Sequence, residues 1–291
     1  YRTCYTEDHE AFRSTVRQFV AKEIEPNADK WDAEGLVPKD VWPKAGELGL
    51  LCPTVPEEFG GLGLDFGYNA IINEEFGYNT DVATGFSLQT DIVANYIIQY
   101  GSEEQKKQWL PKMVSGEVIT AIAMTEPGTG SDLQAIKTRA VRDGDEWVIT
   151  GQKVWNTLAH LADRGMLVAR TDPDAPKHKG LTYFALDMHA PGVEVRPLRQ
   201  MTGEAEFNEV YLTEVRVPDA DRIGDVGEGW RVAMTTLSNE RTTIGGGGGG
   251  VPARGSGAIA EAVRIWNEEP NVDRSPAMRD ELMKLWIRAE V

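Results

Sequence analysis

The chain has 291 residues, 41% of them hydrophobic, and 30 Lys and Arg against 46 Asp and Glu give a formal net charge of -16. That length suffices for two or three packed units, and the acidic balance argues against a nucleic-acid partner, because phosphate backbones are bound by a surplus of Lys and Arg. No apolar run reaches the roughly 18 to 20 residues that span a bilayer and no basic-then-apolar leader is visible, so no membrane insertion and a cytoplasmic setting are expected, while Cys4 and Cys52 alone make neither a disulfide framework nor a cysteine metal site.

From Glu7 to about Glu117 the apolar period is helical: Phe12, Val16, Phe19, Val20 and Ile24 recur at spacings of three and four, and Pro26 is expected to end that run. The stretch Phe59-Gly60-Gly61-Leu62-Gly63 reads as a loop between helices. Ser102-Glu103-Glu104-Gln105 is a capping-box pattern ahead of Trp109, Leu110 and Met113. The aromatics of this zone are expected in the core.

From Val118 to about Pro218 short β-like runs replace the helices. Asp143-Gly144 is a hairpin signal between Ile136 to Arg142 and Trp147 to Thr150, and Leu181 to Leu186 and Phe207 to Val217 read as further strands. After Gly229 the helical period returns, breaks at Gly245 to Gly250, where each glycine costs a helix about 1 kcal/mol relative to Ala, and resumes near Ile259 and again from Ala277 to Val291. The expected fold class is α+β: an N-terminal all-α domain over 1–117, a central small β-barrel-like domain over 118–222, and a C-terminal helical domain over 223–291.

Two segments carry chemistry. Ala123-Met124-Thr125-Glu126-Pro127-Gly128-Thr129-Gly130-Ser131-Asp132 follows the apolar run Val118 to Ile122, so hydroxyls and two glycines stand at a strand exit. Small residues there let backbone amides approach a pyrophosphate or a flavin edge; the same composition also makes a plain strand-ending turn. It is neither an NTPase phosphate loop nor a Rossmann fingerprint. Some twenty residues on comes Gly151-Gln152-Lys153-Val154-Trp155-Asn156-Thr157, whose Trp155 reads equally as a core aromatic. His9, His160, His178 and His189 have no ligand-like spacing, so no metal is expected.

Together these segments resemble acyl-CoA dehydrogenases: Met124 to Asp132 is similar to the TEPGxGSD signature of that family, and Gly151 to Thr157 to its GxKxWIT segment. The similarity extends through Pro56 to Gly63, Gly192 to Val195, Val217-Pro218, Gly227 to Trp230 and Asn239-Glu240-Arg241. The resemblance implies an FAD-dependent oxidoreductase, a flavoprotein of fatty acid and lipid metabolism that dehydrogenates an acyl-CoA to the trans-2-enoyl-CoA. Electrons would pass to an external carrier resembling electron-transferring flavoprotein, and the assembly would be a homodimer, a homotetramer or a hetero-oligomer. It places Ile122, Ala123, Met124, Thr125, Gly130 and Ser131 along the FAD, with Thr125 on the isoalloxazine edge and Ser131 also at the thioester-CoA arm. Trp155, Asn156 and Thr157 fall against the flavin, with Thr157 near N5 and O4. Asn156 is a departure, since the family carries an apolar residue there, and local repacking is expected.

Ser238, Asn239 and Arg241 are implied on the substrate channel, and Asp81 to Tyr100 along the acyl pocket, where Gly85, Ser87 and Ala94 hint at room for a bulky acyl group. Most members carry the catalytic base on a helix beyond the equivalent of Val291, so the C-terminal domain is expected to be truncated or completed by another chain. A minority, resembling the isovaleryl and long-chain enzymes, carry the base just before the arginine of the first helix after the β domain, where this chain has Glu240. The base is therefore Glu240 or a residue beyond Val291. An acyl-CoA oxidase, a flavin monooxygenase and a non-catalytic subunit of a heteromeric dehydrogenase are the other readings.

Overall fold

Helix α1 (Glu7–Phe19) starts where Thr6 closes a capping box: its hydroxyl accepts from the His9 amide at 3.4 Å and its own amide donates to His9 Nδ1 at 3.2 Å. The computed structural model describes residues 4–34, 36–79, 84–201, 203, 205–245 and 258–290. Pro26 does not stop the helical course. The backbone passes from α1 through a π-helical turn (Val20–Ile24) and a 3-10 turn (Glu25–Asn27) into α2 (Ala28–Glu34). Pro26 sits at the start of the short 3-10 turn, where its missing N–H is no loss.

Then follow α3 (Val41–Glu47), α4 (Phe66–Asn79), a π-helical stretch (Leu88–Val93) running into α5 (Ala94–Tyr100), and α6 (Glu103–Val114). Val16, Phe19, Trp42, Leu50, Ile71 and Phe86 share one buried cluster, and Trp42 meets Phe86 edge to face at 4.8 Å, so these aromatics are core as expected. The Phe59 to Gly63 stretch is a loop in which Gly60, at φ +83°, ends a 3-10 turn. Ser102 and Gln105 form the anticipated capping box of α6. The Gln105 amide group also donates to the carbonyls of Ala220 at 2.7 Å and Arg222 at 2.8 Å, which fastens the helical unit to the sheet.

The sheet comprises β1 (Thr120–Ala123), β2 (Arg139–Asp143), β3 (Glu146–Thr157), β4 (Arg164–Arg170), β5 (Leu181–Asp187), β6 (Val193–Pro197), β7 (Phe207–Pro218) and β8 (Arg222–Ile223). Their order is β6-β7-β3-β2-β4-β5-β8, with β1 parallel to β4. The hairpin turns at Gly144, φ +63°, so that Asp143 pairs with Glu146. Its first strand starts at Arg139 and not at Ile136, because the Lys137 and Thr138 amides are bound by the Glu126 carboxylate at 2.7 and 2.8 Å and are not available to a ladder.

One sheet face packs Val168, Tyr183 and Ala185 onto Tyr96 and Met113 of the helical unit and onto Val232 and Ala233 of α7 (Gly229–Gly245). The other buries Trp147, Ile149, Leu167, Phe184, Val210 and Val215. Helix α7 is described to Gly245, the break expected over Gly246 to Gly250 lies outside the described residues, and α8 (Ala258–Glu268) and α9 (Pro276–Glu290) follow. The architecture is α+β with the expected order of helical unit, sheet and helices.

The end of β7 is tied to the start of β3 by Asp219, which accepts from Trp147 Nε1 at 2.7 Å and Arg222 Nε at 2.9 Å. Arg222 first, then the indole N–H, pull its carboxyl down from the ordinary 3.8 to about 2. A folded-state value below the ordinary one means stabilisation present above pH 4 and lost as pH falls from about 4 to about 2. Asp219→Ala is expected to lower unfolding free energy at pH 7 by about 1 kcal/mol, a charged hydrogen bond discounted for partial exposure. Denaturant titrations at pH 7 and pH 2 check this: the difference from wild type should vanish at the lower pH, and a constant difference would refute it.

Candidate functional site

The turn after β1 is closed at its neck by two backbone bonds of 3.0 Å between Glu126 and Thr129, with Pro127 and Gly128 at its tip. Pro127, Gly128, Gly130 and Ser131 are exposed, and an added Cβ at Gly128 or Gly130 would meet no atom within 4 Å. No packing around a Cβ therefore demands glycine at either position.

Strand β3 runs beside this turn and is broken against β7: Lys153 pairs with Val210 and Asn156 with Asn208, so three steps on one strand match two on the other. The extra residue is a β-bulge, a device that re-aims a side chain. Trp155 lies in it at φ +62°, and Leu158, just past the strand, is at φ +54°. Left-handed backbone at non-glycine residues costs of order 1 to 3 kcal/mol each and gathers at functional sites. The bulge turns the Trp155 indole outward: it is 53% exposed and touches Phe207 edge to face at 5.7 Å. The structure thus decides against Trp155 as a core aromatic.

Behind the cleft, β3 grips the β1 segment. Asn156 Nδ2 donates to the Ile122 carbonyl at 2.7 Å, the Val154 amide to the Thr125 carbonyl at 2.9 Å, and Lys153 Nζ to the Met124 carbonyl at 2.9 Å. Lys153 is fully buried and also pairs with Glu126 Oε1 at 2.9 Å. Burial pushes the ammonium down to about 8, against the pull of Glu126, so it stays protonated at neutral pH. Burial alone would raise the Glu126 carboxyl, but Lys153 and the Thr138 and Lys137 donors outweigh it and hold the carboxyl below the usual range.

Ile122, Thr125 and Thr157 are half-buried, while Ala123, Met124 and Asn156 are buried. Asn156 does not simply repack: its amide takes over a carbonyl that a ladder strand would otherwise satisfy. Ser238 is exposed on α7, whereas the side chains of Asn239, Glu240 and Arg241 lie outside the described residues. Gly85 is small for another reason than acyl room. It has φ +77°, and an added Cβ would sit 2.1 Å from Leu158 Cδ1. Ala94 is likewise a buried core residue.

Glu126 and Lys153 had no role in the motif reading. A signal was present: the inward alternation of Trp147, Ile149 and Gly151 along β3 puts Lys153 on the buried side, where an unpaired ammonium is untenable.

The sequence matches the family models described as "Acyl-CoA dehydrogenase, N-terminal domain" over residues 6–117 and "Acyl-CoA dehydrogenase, middle domain" over residues 121–215. Acyl-CoA dehydrogenase FadE34 of Mycobacterium tuberculosis is 51% identical over 151 residues, 52% of this chain and 21% of that protein. Acyl-CoA dehydrogenase IpdE1 of the same organism is 34% identical over 293 residues, 96% of this chain and 74% of its own length. The crystal structure of acyl-CoA dehydrogenase from Geobacillus kaustophilus superposes with a TM-score of 0.89 at 34% identity, covering 99% of this chain and 77% of that one. The match thus spans about a fifth of FadE34 and about three quarters of IpdE1. The fold is that of a family of oxidoreductases. The chain belongs to the acyl-CoA dehydrogenase family.

If the Trp155 indole faces a ligand and not the core, removing it leaves the empty protein almost unharmed. Trp155→Gly is expected to change apoprotein stability by less than about 1 kcal/mol, since relief of the left-handed backbone offsets the lost Phe207 contact. A core tryptophan would cost roughly 3 to 5 kcal/mol. Urea unfolding of the apoprotein decides, and a loss in the core range would contradict the assignment.

Proposed function

We propose that this protein is an FAD-dependent dehydrogenase that converts an acyl-CoA thioester to the trans-2-enoyl-CoA and passes the electrons to an external carrier resembling electron-transferring flavoprotein. The observation that carries the reading is the half-exposed Trp155 indole on strained backbone beside the open Gly128 to Ser131 turn. A flat aromatic ring face and an exposed turn of small residues suit a flavin and its pyrophosphate, and the family is FAD-dependent. No helix among the described residues is long and apolar enough to cross a membrane. The reading places the protein in the cytoplasm and in fatty acid metabolism, as a homodimer, homotetramer or hetero-oligomer, with 1–117, 118–222 and 223–291 as its three domains.

Bound FAD would take the hydride that leaves the β-carbon. The chain's own part is to hold and polarise. In this reading Ile122, Ala123, Met124, Thr125, Gly130, Ser131, Trp155, Asn156 and Thr157 hold the cofactor, Ala123, Met124 and Asn156 by backbone. Ser131, Ser238, Asn239 and Arg241 hold the thioester and its pantetheine arm. The proton α to the thioester goes to the Glu240 carboxylate, and the electron pair it leaves becomes the new double bond. That proton is too weakly acidic to leave unaided, so carbonyl polarisation and a placed base are both required.

Purified intact protein is expected to carry FAD non-covalently and to show anaerobic bleaching of the flavin by an acyl-CoA from a chain-length panel. A colourless protein that cannot be reconstituted would overturn the reading in favour of a non-catalytic subunit, and rapid oxygen consumption would make it an oxidase or monooxygenase. Thr157→Val should slow flavin reduction while leaving acyl-CoA binding nearly unchanged, because a hydrogen bond to the reduced flavin matters most as charge develops; equal losses in both would contradict that role. Glu240→Gln should keep flavin and acyl-CoA but lose reduction by about 100-fold to 10,000-fold, the range of general-base loss. Near-normal reduction in stopped flow would move the base elsewhere in the protein.

A further inference from the structure

We propose that Lys153 and Glu126 are positioning residues that fix the flavin-bearing segment Ile122 to Ser131 against the Trp155 indole, and so set how tightly and in what environment the flavin is held. The proposal rests on the FAD reading above and concerns residues that touch no ligand.

Strand β1 spends its ladder on β4, from Thr120 opposite Arg164 to Ala123 opposite Leu167. No ladder joins it to β3, although β3 carries Trp155. Among the described residues, the one backbone bond across that gap is Val154 N–H to the Thr125 carbonyl, at 2.9 Å. A single bond leaves two segments free to pivot about it. Lys153 removes the pivot, because its ammonium bonds on both sides of Thr125: to the Met124 carbonyl before it and to the Glu126 carboxylate after it, each at 2.9 Å. Asn156 adds a third hold further back, at the Ile122 carbonyl. Glu126 extends the hold in the other direction, since its two oxygens bind the Lys137 and Thr138 amides and so anchor the return path of the loop that holds Gly130 and Ser131.

The chemistry of the pair fits this task better than it fits stability. A buried ion pair seldom beats apolar residues of similar volume, since desolvation of both charges consumes the attraction between them. Here it satisfies one backbone carbonyl and two backbone amides that apolar replacements would leave bare. The ion pair thus fixes orientation at the point where sheet hydrogen bonding stops. Lys153 is also the last paired residue before the bulge that re-aims the indole, two positions before Trp155, so a shift of its backbone moves the indole together with the segment it grips.

The test compares apoprotein stripped of flavin, titrated with FAD by fluorescence, with the visible absorption and circular dichroism of the reconstituted protein and the apoprotein melting temperature. Lys153→Met keeps the stem and removes the donor. It is expected to weaken FAD binding by about 10- to 100-fold, the worth of a charged hydrogen bond, and to shift the visible dichroism of the flavin that still binds. Glu126→Gln, which keeps the shape and serves if Lys153→Met does not fold, should act in the same direction, and the double variant should be no worse than Lys153→Met alone because the two act as a unit. Ile149→Ala opens a cavity in the same strand away from the clamp and should lower the melting temperature with FAD affinity within about threefold of wild type. Unchanged FAD affinity and dichroism in both clamp variants, with wild type binding normally, would overturn the proposal alone. Equal loss of FAD affinity in Ile149→Ala at equal loss of melting temperature would also overturn it, reducing the pair to a structural element. Wild type that takes up no FAD would instead refute the flavin reading, and this proposal with it.

Discussion

The ammonium of Lys153, without measurable exposure, is held between the Met124 carbonyl and the Glu126 carboxylate, and by that contact β3 grips the segment that follows β1. A lone charge there would be untenable. Glu126 makes it tolerable, and the Lys137 and Thr138 amides in turn hold Glu126 as a carboxylate. Each partner lies in one of the two segments that carry the family signature, about twenty-seven positions apart in sequence, so the pair joins them across the fold.

Around this pair the sheet departs from regularity where a ligand would be met. The bulge at Val154 and Trp155 places an indole in open space, and Leu158 resumes the chain on left-handed backbone only to pack against Gly85 of the helical unit. A second irregularity of β3 against β7, near Gly151, has Glu214 at φ +50° on the opposing strand. Left-handed backbone thus recurs around the second half of β3, where the strand is laddered to β7 on one flank and β2 has already ended at the level of Thr150.

The helical unit reaches this region through polar contacts of buried side chains. Gln89, fully buried in the π-helical stretch, donates to the Met113 carbonyl at 2.9 Å and accepts from the Thr120 amide at 3.0 Å, linking α6 to the first residue of β1. Gln105 does the same between α6 and β8. With Tyr96 and Tyr183 in edge contact at 5.5 Å, these fix the helices against the sheet face opposite the Trp147 cluster. The position of β1 therefore depends in part on the helical unit.

The local elements were legible in the sequence because their causes are local. The Ser102 capping box, the Gly144 turn and the alternation of β7 are each written within a few residues. The signature segments pointed to the cleft through resemblance, and Trp155 by itself stayed divided between core and ligand. Tertiary structure decided that division, because a bulge is set by how two strands register and not by either strand alone. It also decided that Pro26 continues a helical course, that strand β2 begins at Arg139, and that Lys153 is paired with Glu126. For β2 and for Lys153 a hydrogen-bond partner distant in sequence overrode the local preference, and such partners exist only once the chain has folded.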